Sequence, residues 1–400
     1  MSRFRTLYLD MDSFFASIEQ QLDSTLRNKP VAIAALENDF GCVVAASYEA
    51  KAYGVKTGTR VRDAKILCPG IHFRPSRHRL YSKFNKYISY LLDDIAELES
   101  IRSIDEFQIY LGRDYSSLSR ALLLSTRIKS MIYEQVGKEI SLSIGIAANP
   151  LLAKIASKIN KPDGLQWLCE ENMPSRIKDL YLEDLPGISK GIKRRLLGAK
   201  VYSVEDLYYM DPRHARLVWR SVEGERFVRS LRGENIPINK SNRGSYGNSK
   251  VLSPENRSPR NAYLVGRWLI EKSAERLRRY NYCASRLDIF LRLDNFGSCQ
   301  DSVTFLYSQD TLFFLKQFKI LWTRLSPVIE SQRIKFVGVR LSGLINIQDR
   351  SGEFLTNLYP GEKNISERLS SSVDNLNLRY GKRIINFGIH REHPGFFERG

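Results

Sequence analysis

Short apolar strand patterns alternate with amphipathic helix patterns through residues 1–168, and this alternation most narrowly limits the fold. TLYLD (6–10) alternates leucines with more polar neighbours, which is typical of a half-buried strand. Apolar runs at 31–35 and 41–47 predict buried strands, and the pattern at 78–98 predicts a long amphipathic helix. Helices and strands of this kind predict an α+β fold rather than a simple doubly wound sheet.

Helix starts are visible at two places in the same region. Asp12 or Ser13 follows the first strand and can cap a helix. SLSIGIAA (141–148) alternates with period two and is followed by Asn149 and Pro150, which suit the cap and the first position of a helix. A helix is therefore expected directly after each of these two strands.

The sequence changes character after residue 168. Residues 170–235 are rich in short helix patterns, and 235–250 is a basic stretch rich in Pro, Gly, Ser and Asn that predicts a linker. Beyond it, 260–280 predicts a strong amphipathic helix, and SRLDIFLRL (285–293) and KFVGVRLSGL (335–344) predict strands. A further helix is expected at 311–325, so the chain has a second, smaller α+β unit.

Composition and charge favour a polyanionic partner. The 400 residues are 42% hydrophobic, which suits a globular protein, and 62 Lys and Arg against 44 Asp and Glu give a formal charge of +18. The five cysteines are scattered without a C-x-x-C pair, so neither a disulfide framework nor a structural zinc site is expected. No secretion signal is visible, and no apolar run approaches the roughly 20 residues that span a bilayer. A cytoplasmic location is expected.

Acidic residues interrupt two of the predicted strands. Asp10 closes the first, where a lone Asp is usually only a strand terminator, and Asp105 and Glu106 break SIDEFQIYL. Successive strand side chains point to opposite faces, so Asp105 and Glu106 can share one site only where the chain turns, and a hairpin apex is predicted there. Clustered carboxylates repel unless divalent cations lie between them, as in two-metal phosphoryl transfer. Surface charges at a turn are the alternative.

Six segments together resemble a known family. The chain is similar to the Y-family translesion DNA polymerases, in the bacterial UmuC/DinB (ImpB/MucB/SamB) group, over about residues 5–345. The segments that carry the resemblance, in order, are YLDMDSFFASIE (8–19), VVAASYEAKAYGVKTG (43–58) with AKILCP (64–69), SIDEF (103–107), SIGIAANPLLAKIASKINKPDG (143–164), LPGISKGIKRRLLG (185–198) and SYGNSKVLSPENR (245–257).

The resemblance implies a right-hand polymerase with a ferredoxin-like palm, small fingers, a helical thumb with a helix-hairpin-helix, and an α+β little finger. Its regions in this chain would be the palm at 1–19 and 78–168, the fingers at 20–77, the thumb at 169–235, a linker at 236–246, the little finger at 247–345 and a C-terminal tail at 346–400.

By the same resemblance, Asp10, Asp105 and Glu106 are the catalytic metal ligands, and the Met11 backbone carbonyl completes the nucleotide-side ion. The cofactor would be two Mg²⁺ ions, with Mn²⁺ as an alternative, in the attack of a primer 3′-hydroxyl on the α-phosphate of a dNTP. Asp12 would then not be a ligand, and it suits the helix cap instead.

The two phenylalanines after Asp12 are candidates for the substrate wall. Adjacent helical positions point roughly 100° apart, so only one of Phe14 and Phe15 should touch the nucleotide. Core packing is expected for Phe14. In similar polymerases the second aromatic, here Phe15, lies against the sugar as a steric gate that excludes a 2′-hydroxyl.

Three further side chains are implied as triphosphate ligands. Tyr48 and Lys51 share a helix face if YEAK is helical, and a hydroxyl with a cation there can bind β- and γ-phosphates. The family usually has arginine where Lys51 stands, and threonine where Ala45 stands, so the fingers pocket departs from the pattern. Lys161, just before Pro162, matches the family's triphosphate-binding lysine, whereas Lys154 and Lys158 on the same helix are expected to be solvated.

DNA contacts are implied in two regions. LPGIS (185–189) lies between two helical segments like a helix-hairpin-helix, with an ordinary helix-helix turn as the alternative, and residues 240–292 hold twelve Lys and Arg against four Asp and Glu. The little finger would therefore grip the duplex backbone without reading sequence. The residues assigned to DNA binding are Gly187, Ser189, Lys190, Lys193, Lys250 and Arg257.

The expected partners are primer–template DNA and dNTPs, with a sliding clamp and other mutagenesis proteins implied by the family. QFKILW (317–322) resembles a clamp-binding peptide but lies in a predicted amphipathic helix, where core packing is expected, and Phe396 and Phe397 near the C-terminus are a terminal docking element or a stray apolar end. Two rival functions stay open: a catalytically weak polymerase-like accessory protein that only binds DNA, and a two-metal nuclease.

Overall fold

The computed structural model describes residues 4–34, 39, 41–237, 243–295, 297–352, 360–381 and 383–392. Two compact units divide the chain between Asn239 and Lys240. The predicted linker at 236–246 lies partly outside the described residues, as do Phe396 and Phe397. Within the described residues, no helix is both long enough and apolar enough to span a bilayer.

The first unit combines two sheets with helices. Its strands are β1 (Thr6–Met11), β2 (Val31–Ala34), β3 (Val43–Ala46), β4 (His72–Pro75), β5 (Leu98–Ile101), β6 (Glu106–Tyr110), β7 (Leu142–Ala147) and β8 (Leu165–Leu168). Its helices are α1 (Phe14–Leu22), α2 (Tyr48–Ala52), α3 (Val61–Leu67), α4 (His78–Ile95), α5 (Leu118–Met131), α6 (Pro150–Ile159), α7 (Lys190–Gly198), α8 (Val204–Tyr209), α9 (Pro212–Trp219) and α10 (Val222–Leu231).

The larger sheet has the order β5-β6-β1-β7-β8, with β1 antiparallel to both neighbours. All six residues of β1 are buried, so the expectation of a half-buried strand is wrong. Leu7 and Leu9 face a core beneath the sheet, whereas Tyr8 faces a second core shared with α6 and the helices α7 to α10. A central strand that is covered on both faces needs no polar face.

The predicted hairpin apex is confirmed. β5 and β6 pair antiparallel, and the chain between them turns at 102–105. Asp105 is the last residue of the turn and Glu106 is the first residue of β6. The two carboxylates therefore lie where strand alternation no longer separates them.

Asn149 caps α6 as predicted. Its side chain accepts a hydrogen bond from the Leu152 N–H at 2.9 Å, and Pro150 is the first helical residue. α6 packs closely on β7, because a Cβ added at Gly145 would lie 1.9 Å from the Ala153 carbonyl oxygen. This close approach places the face of α6 that carries Lys154 beside the end of β1 and β6.

The smaller sheet, of order β3-β2-β4, lies in the region predicted as fingers. β2 pairs antiparallel with β3 and parallel with β4. The Ser47 side chain caps α2 by accepting a hydrogen bond from the Ala50 N–H at 3.4 Å. YEAK is therefore helical, as the predicted pairing of Tyr48 and Lys51 requires.

The second unit is an antiparallel sheet with helices. Its strands are β9 (Ser245–Val251), β10 (Tyr282–Leu293), β11 (Ser298–Ser308) and β12 (Ile334–Asn346), in the order β11-β10-β12-β9, and its helices are α11 (Pro259–Arg279), α12 (Thr311–Ile329) and α13 (Pro360–Arg379). β9 and β11 were not predicted. β9 carries few apolar residues, whereas β11 has Val303, Phe305 and Tyr307 at alternate positions and so carried a strand signal. Phe318 and Leu321 of QFKILW are fully buried in α12, so core packing of that segment is confirmed.

Part of the predicted C-terminal tail is ordered against this unit. The Arg278 guanidinium of α11 contacts both carboxylate oxygens of Asp374 on α13, at 2.7 and 3.0 Å. Residues 383–392 also return to α11, where Arg267 donates to the Phe387 and Ile389 carbonyls. The sequence did not predict α13.

Candidate active site

The three predicted catalytic acids lie at one end of the central strands. Asp10 is opposite Glu106 in the register of β1 and β6. The turn that carries Asp105 is tied to the same place, since the Met11 N–H donates to the Asp105 carbonyl oxygen at 2.9 Å. The fold thus brings together residues 95 positions apart in the sequence.

Two lysines pair with these acids. The Lys161 Nζ lies 2.5 Å from Asp10 Oδ1, and the Lys154 Nζ lies 2.6 Å from Glu106 Oε1. The expectation that Lys154 is solvated is therefore wrong, although Lys158 on the next turn is exposed. Lys158 is four positions after Lys154 on α6, whereas Lys161 follows the end of that helix at Ile159, so no continuous helical stripe marked the three lysines in the sequence.

Burial and neighbouring charges oppose each other at Asp10. Burial raises the pKa of its carboxyl, Lys161 lowers it by charge and hydrogen bonding, and the charges of Asp105 and Glu106 raise it again, with a net rise. The like charges of the three acids therefore act on one another, and a positive charge is needed to hold them together.

Glu106 is held in its charged form. Burial alone would raise its pKa, but Lys154 and the hydroxyls of Tyr8 and Ser103 lower it below the ordinary value. Ser103 also donates to Asp105 Oδ1 at 2.5 Å. Ser103 in the turn therefore contacts the carboxylates of both Asp105 and Glu106.

Asp12 does not cap α1, contrary to the prediction. Ser13 is the N-cap residue, in the left-handed region with φ 49°, and no side chain caps the helix. The Asp12 side chain is 0% exposed and accepts hydrogen bonds from the Ser143 hydroxyl at 3.0 Å, the Asp163 N–H at 2.8 Å and the Tyr48 hydroxyl at 3.2 Å. It therefore joins β1, β7, α2 and the loop after α6, a role that no local sequence pattern indicates.

Both phenylalanines are nearly buried. Phe14 lies in the core under the larger sheet, in agreement with its predicted packing. Phe15 stacks on Tyr81 with ring centroids 4.2 Å apart and 13° between the planes, and its edge meets His78. Phe15 is thereby fixed in position, and its part as steric gate stays a prediction.

Tyr48 and Lys51 turn toward the same site from α2. The Lys51 Nζ lies 4.1 Å from the centre of the Tyr48 ring and donates to the Ser13 hydroxyl at 2.7 Å. Burial lowers the pKa of Lys51, and the positive charge of Lys161 lowers it further, whereas Asp12 and Asp10 raise it. Three amines thus lie at the strand ends: Lys51 contacts Ser13, Lys161 contacts Asp10 of β1 and Lys154 contacts Glu106 of β6.

The donors suit a hard divalent cation. Carboxylate and carbonyl oxygens are the ligands that Mg²⁺ prefers. In the described part of the chain, no three His, Cys, Asp or Glu side chains are grouped so that they could hold a metal ion. Instead, the ammonium groups of Lys161 and Lys154 supply positive charge to Asp10 and Glu106. The oxygen donors therefore suit the predicted Mg²⁺ ions. Binding of these ions requires Lys161 and Lys154 to release the carboxylates of Asp10 and Glu106.

The predicted thumb motif forms only in part. Gly187 has φ +95°, which the tight turn requires, and the Ser189 hydroxyl caps α7 by accepting from the Ile192 N–H at 3.4 Å. Ahead of the turn the described chain forms turns and a 3₁₀ helix at Leu182–Asp184 rather than an α-helix. Lys193 pairs with Glu183 at 2.6 Å.

The predicted DNA-binding residues of the second unit have internal partners. The Lys250 ammonium lies 5.7 Å from the Trp268 ring, and Arg257 donates to the Leu252 carbonyl at 3.1 Å. Their assignment to DNA stays a prediction.

Known proteins match this chain over nearly its whole length. The sequence profile of the impB/mucB/samB family matches residues 9–158, and the profile of that family's C-terminal domain matches residues 243–354. DNA polymerase IV of Moorella thermoacetica is 32% identical over 390 residues, covering 96% of this chain and 95% of that protein. DNA polymerase IV 1 of Bacillus subtilis is 28% identical over 397 residues, covering 95% and 92%.

Solved structures match the fold. A Y-family DNA polymerase chimera of Dbh and Dpo4 has a TM-score of 0.74 at 22% identity, covering 86% of this chain and 99% of that chain. DinB from Sulfolobus solfataricus has a TM-score of 0.54 at 21% identity, covering 84% and 98%. These matches confirm the predicted α+β polymerase fold.

Proposed function

This chain belongs to the impB/mucB/samB family of Y-family DNA polymerases, and on that premise we propose how its own residues carry out DNA synthesis. It is a DNA-directed DNA polymerase of the translesion type. Enzymes of this family are nucleotidyltransferases that generally need divalent metal ions.

The observation that carries the proposal is the placement of Asp10 opposite Glu106, with Asp105 in the adjoining turn and a lysine paired with each of the first two. Asp10, Asp105, Glu106 and the Met11 carbonyl would hold two Mg²⁺ ions, or Mn²⁺, which supply activation of a primer 3′-hydroxyl and neutralise the leaving pyrophosphate.

Triphosphate binding would use the amines and the hydroxyl that surround the acids. Tyr48, Lys51 and Lys161 now contact Asp12, Ser13 and Asp10 respectively. A triphosphate brings several negative oxygens to the same place, so these donors can exchange carboxylate or hydroxyl partners for phosphate oxygens. Such an exchange frees Asp10 while the substrate is bound.

Discrimination against ribonucleotides would rest on Phe15. Stacking on Tyr81 leaves its ring little freedom, and a rigid wall excludes an added hydroxyl better than a mobile one. We expect Phe15→Ala to raise ribonucleotide incorporation strongly. Unchanged discrimination in that variant would show that Phe15 is not the gate.

Duplex DNA would be held through phosphates. In the first unit, Gly187 and Ser189 precede α7, and Lys190 and Lys193 lie in its first turn, where N–H groups can meet a phosphate. In the second unit, Lys250 and Arg257 would join the general positive charge. A chromosomal DNA substrate implies a cytoplasmic enzyme.

A sliding clamp and other mutagenesis proteins are the further partners proposed. The buried Phe318 and Leu321 exclude QFKILW as a docking peptide unless α12 unfolds. Docking elements must therefore come from another part of the chain.

Primer extension with Mg²⁺ and dNTPs tests the proposal against both rivals. We expect the unmutated chain to extend a primer and Asp105→Ala to lose on the order of a thousandfold in rate. Asp114→Ala removes an exposed acid from the same unit and should extend normally. An accessory protein would bind DNA without extension, whereas a nuclease would shorten the primer, and either result would refute the assignment.

A further inference from the structure

One face of the second unit's sheet is basic and uncovered by its core. Along β10, Leu287, Ile289 and Leu291 are buried in the core with α11 and α12. The alternate residues point to the other face, as strand geometry requires. In chain order they are Arg286, Asp288, Phe290 and Arg292.

Asp288 is the only acidic residue in β10 and β12. It is opposite Arg340 of β12 in the register, and its side chain is only 5% exposed. Arg286 Nε donates to Asp288 Oδ1 at 2.8 Å, and Arg340 Nε donates to Asp288 Oδ2 at 3.0 Å. Ser342 donates to Oδ2 as well, at 3.2 Å. A single carboxylate therefore bridges two arginines from neighbouring strands.

The carboxylate stays ionised despite its burial. Burial alone would raise the pKa of Asp288, but hydrogen bonds and charges from Arg286 and Arg340 lower it below the ordinary value. A buried charge of this kind persists only where its partners compensate for lost hydration. The three side chains thus act as one unit.

The arginines remain half exposed while Asp288 holds them. Their side chains are 47% and 48% exposed for Arg286 and Arg340. Arg340 also lies over the Phe290 ring, 5.2 Å from its centre, and Arg286 Nη2 donates to Ser302 at 3.0 Å. Among the described residues, the Nη atoms of Arg340 have no hydrogen-bond partner. Both guanidinium groups are therefore fixed at Nε, while Arg286 Nη1, like both Nη atoms of Arg340, has no hydrogen-bond partner in the described part of the chain.

We propose that Asp288 is a positioning residue for DNA: it orients Arg286 and Arg340 so that their outer nitrogens bind phosphates of the duplex. This inference rests on the proposed function, because it requires the second unit to contact primer–template DNA. Fixed guanidinium groups lose less side-chain entropy on binding a phosphate than free ones do. The acid therefore strengthens an interaction that its own charge would otherwise weaken.

The sign of the effect separates positioning from charge alone. Asp288→Asn removes a negative charge from a DNA-facing surface, so charge alone predicts tighter binding and a steeper salt dependence. Positioning predicts the reverse, because the two arginines lose their common anchor. A purely structural role would change stability without changing DNA affinity in the folded protein.

The test measures binding of a primer–template duplex by fluorescence anisotropy between 50 and 200 mM salt. We expect Asp288→Asn to bind roughly fivefold more weakly, with a slope of log K against log salt reduced by about 1. Glu330→Gln, which removes an exposed acid at the end of α12, is the matched control and should bind no more weakly than the unmutated chain. Equal or tighter binding by folded Asp288→Asn would overturn the inference.

Two further measurements keep the inference testable. If Asp288→Asn does not fold, the double variant Arg286→Lys with Arg340→Lys takes its place, because it keeps both positive charges but loses the Nε contacts with Asp288. This double variant should bind DNA several-fold more weakly. Unchanged binding would overturn the inference. Single-turnover extension at saturating DNA should be unchanged in Asp288→Asn. If the unmutated chain extends primers and only the affinity expectation fails, the positioning role is wrong and the polymerase assignment stands.

Discussion

Two sets of ion pairs in this molecule differ in how exposed the basic side chain is. At the sheet end of the first unit, Lys161 and Lys154 hold Asp10 and Glu106, and both members of each pair are largely buried. On the sheet of the second unit, Asp288 is buried and its arginines are half exposed. In the first unit, ion pairs with lysines hold the proposed catalytic acids in place. In the second unit, ion pairs with an acid hold two half-exposed arginines in place.

The choice of base explains the difference. A lysine is a single charge on a flexible stem, so it can leave a carboxylate when another cation or a phosphate arrives. An arginine can bind an acid through Nε and still present its remaining N–H groups elsewhere. The first unit thus has counterions that can be exchanged, and the second unit has a counterion that stays.

The strongest test of this comparison removes an acid from the first unit. We expect Glu106→Gln to lower single-turnover primer extension on the order of a thousandfold, because a neutral amide cannot serve as an anionic ligand. DNA affinity should change little, since the duplex contacts are proposed elsewhere. Extension within tenfold of the unmutated rate would contradict the role of Glu106.

Asp12 tests whether a buried acid can be purely structural. Asp12→Ala leaves the hydrogen-bond donors of Ser143, Asp163 and Tyr48 without their acceptor. We expect a loss of about 3 kcal/mol in the free energy of unfolding, which corresponds to about a hundredfold change in the equilibrium. Urea unfolding measures it, and a loss below about 1 kcal/mol would contradict the structural role of Asp12.

Lys154 tests the exchangeable counterion. Lys154→Met removes the charge that pairs with Glu106 and keeps most of the apolar stem. We expect kcat to fall roughly tenfold with little change in KM, because Lys154 holds Glu106 in place until the metal ions replace it, and the nucleotide contacts are proposed for other residues. Lys158→Met, one turn away and exposed, is the matched control and should change kcat less than twofold. Equal effects of the two variants would show that Lys154 acts only through its positive charge and not through its contact with Glu106.

Local chemistry made much of the fold predictable. Asn149 and Pro150 mark the start of α6, and adjacent acids at Asp105 and Glu106 require the turn that the structure has. Each of these predictions depends on a few neighbouring residues and on backbone geometry. The same holds for Tyr48 and Lys51 on one face of α2.

Contacts between distant segments were not predictable. Asp12 has the position of a helix cap, yet its partners come from β7, α2 and the loop after α6. Lys154 resembles any solvated helical lysine until α6 packs beside Glu106. Asp288 is similar, since Arg340 is 52 positions away in the chain. A single sequence does not specify which surface a charged side chain will face.

The smallest expected effect tests whether the Asp288 counterion is permanent. Its pKa is lowered in the folded chain, so its contribution to stability is fully present above the unfolded value of about 3.9 and is lost as pH falls through the folded pKa. At pH 6 we expect amides of β10 and β12 to exchange roughly threefold more slowly in the unmutated chain than in Asp288→Asn. As pH falls through the folded pKa, the two exchange rates should converge. A difference that persists unchanged once the carboxyl is protonated would show that its charge does not hold Arg286 and Arg340, and the contrast with the exchangeable lysines would fail.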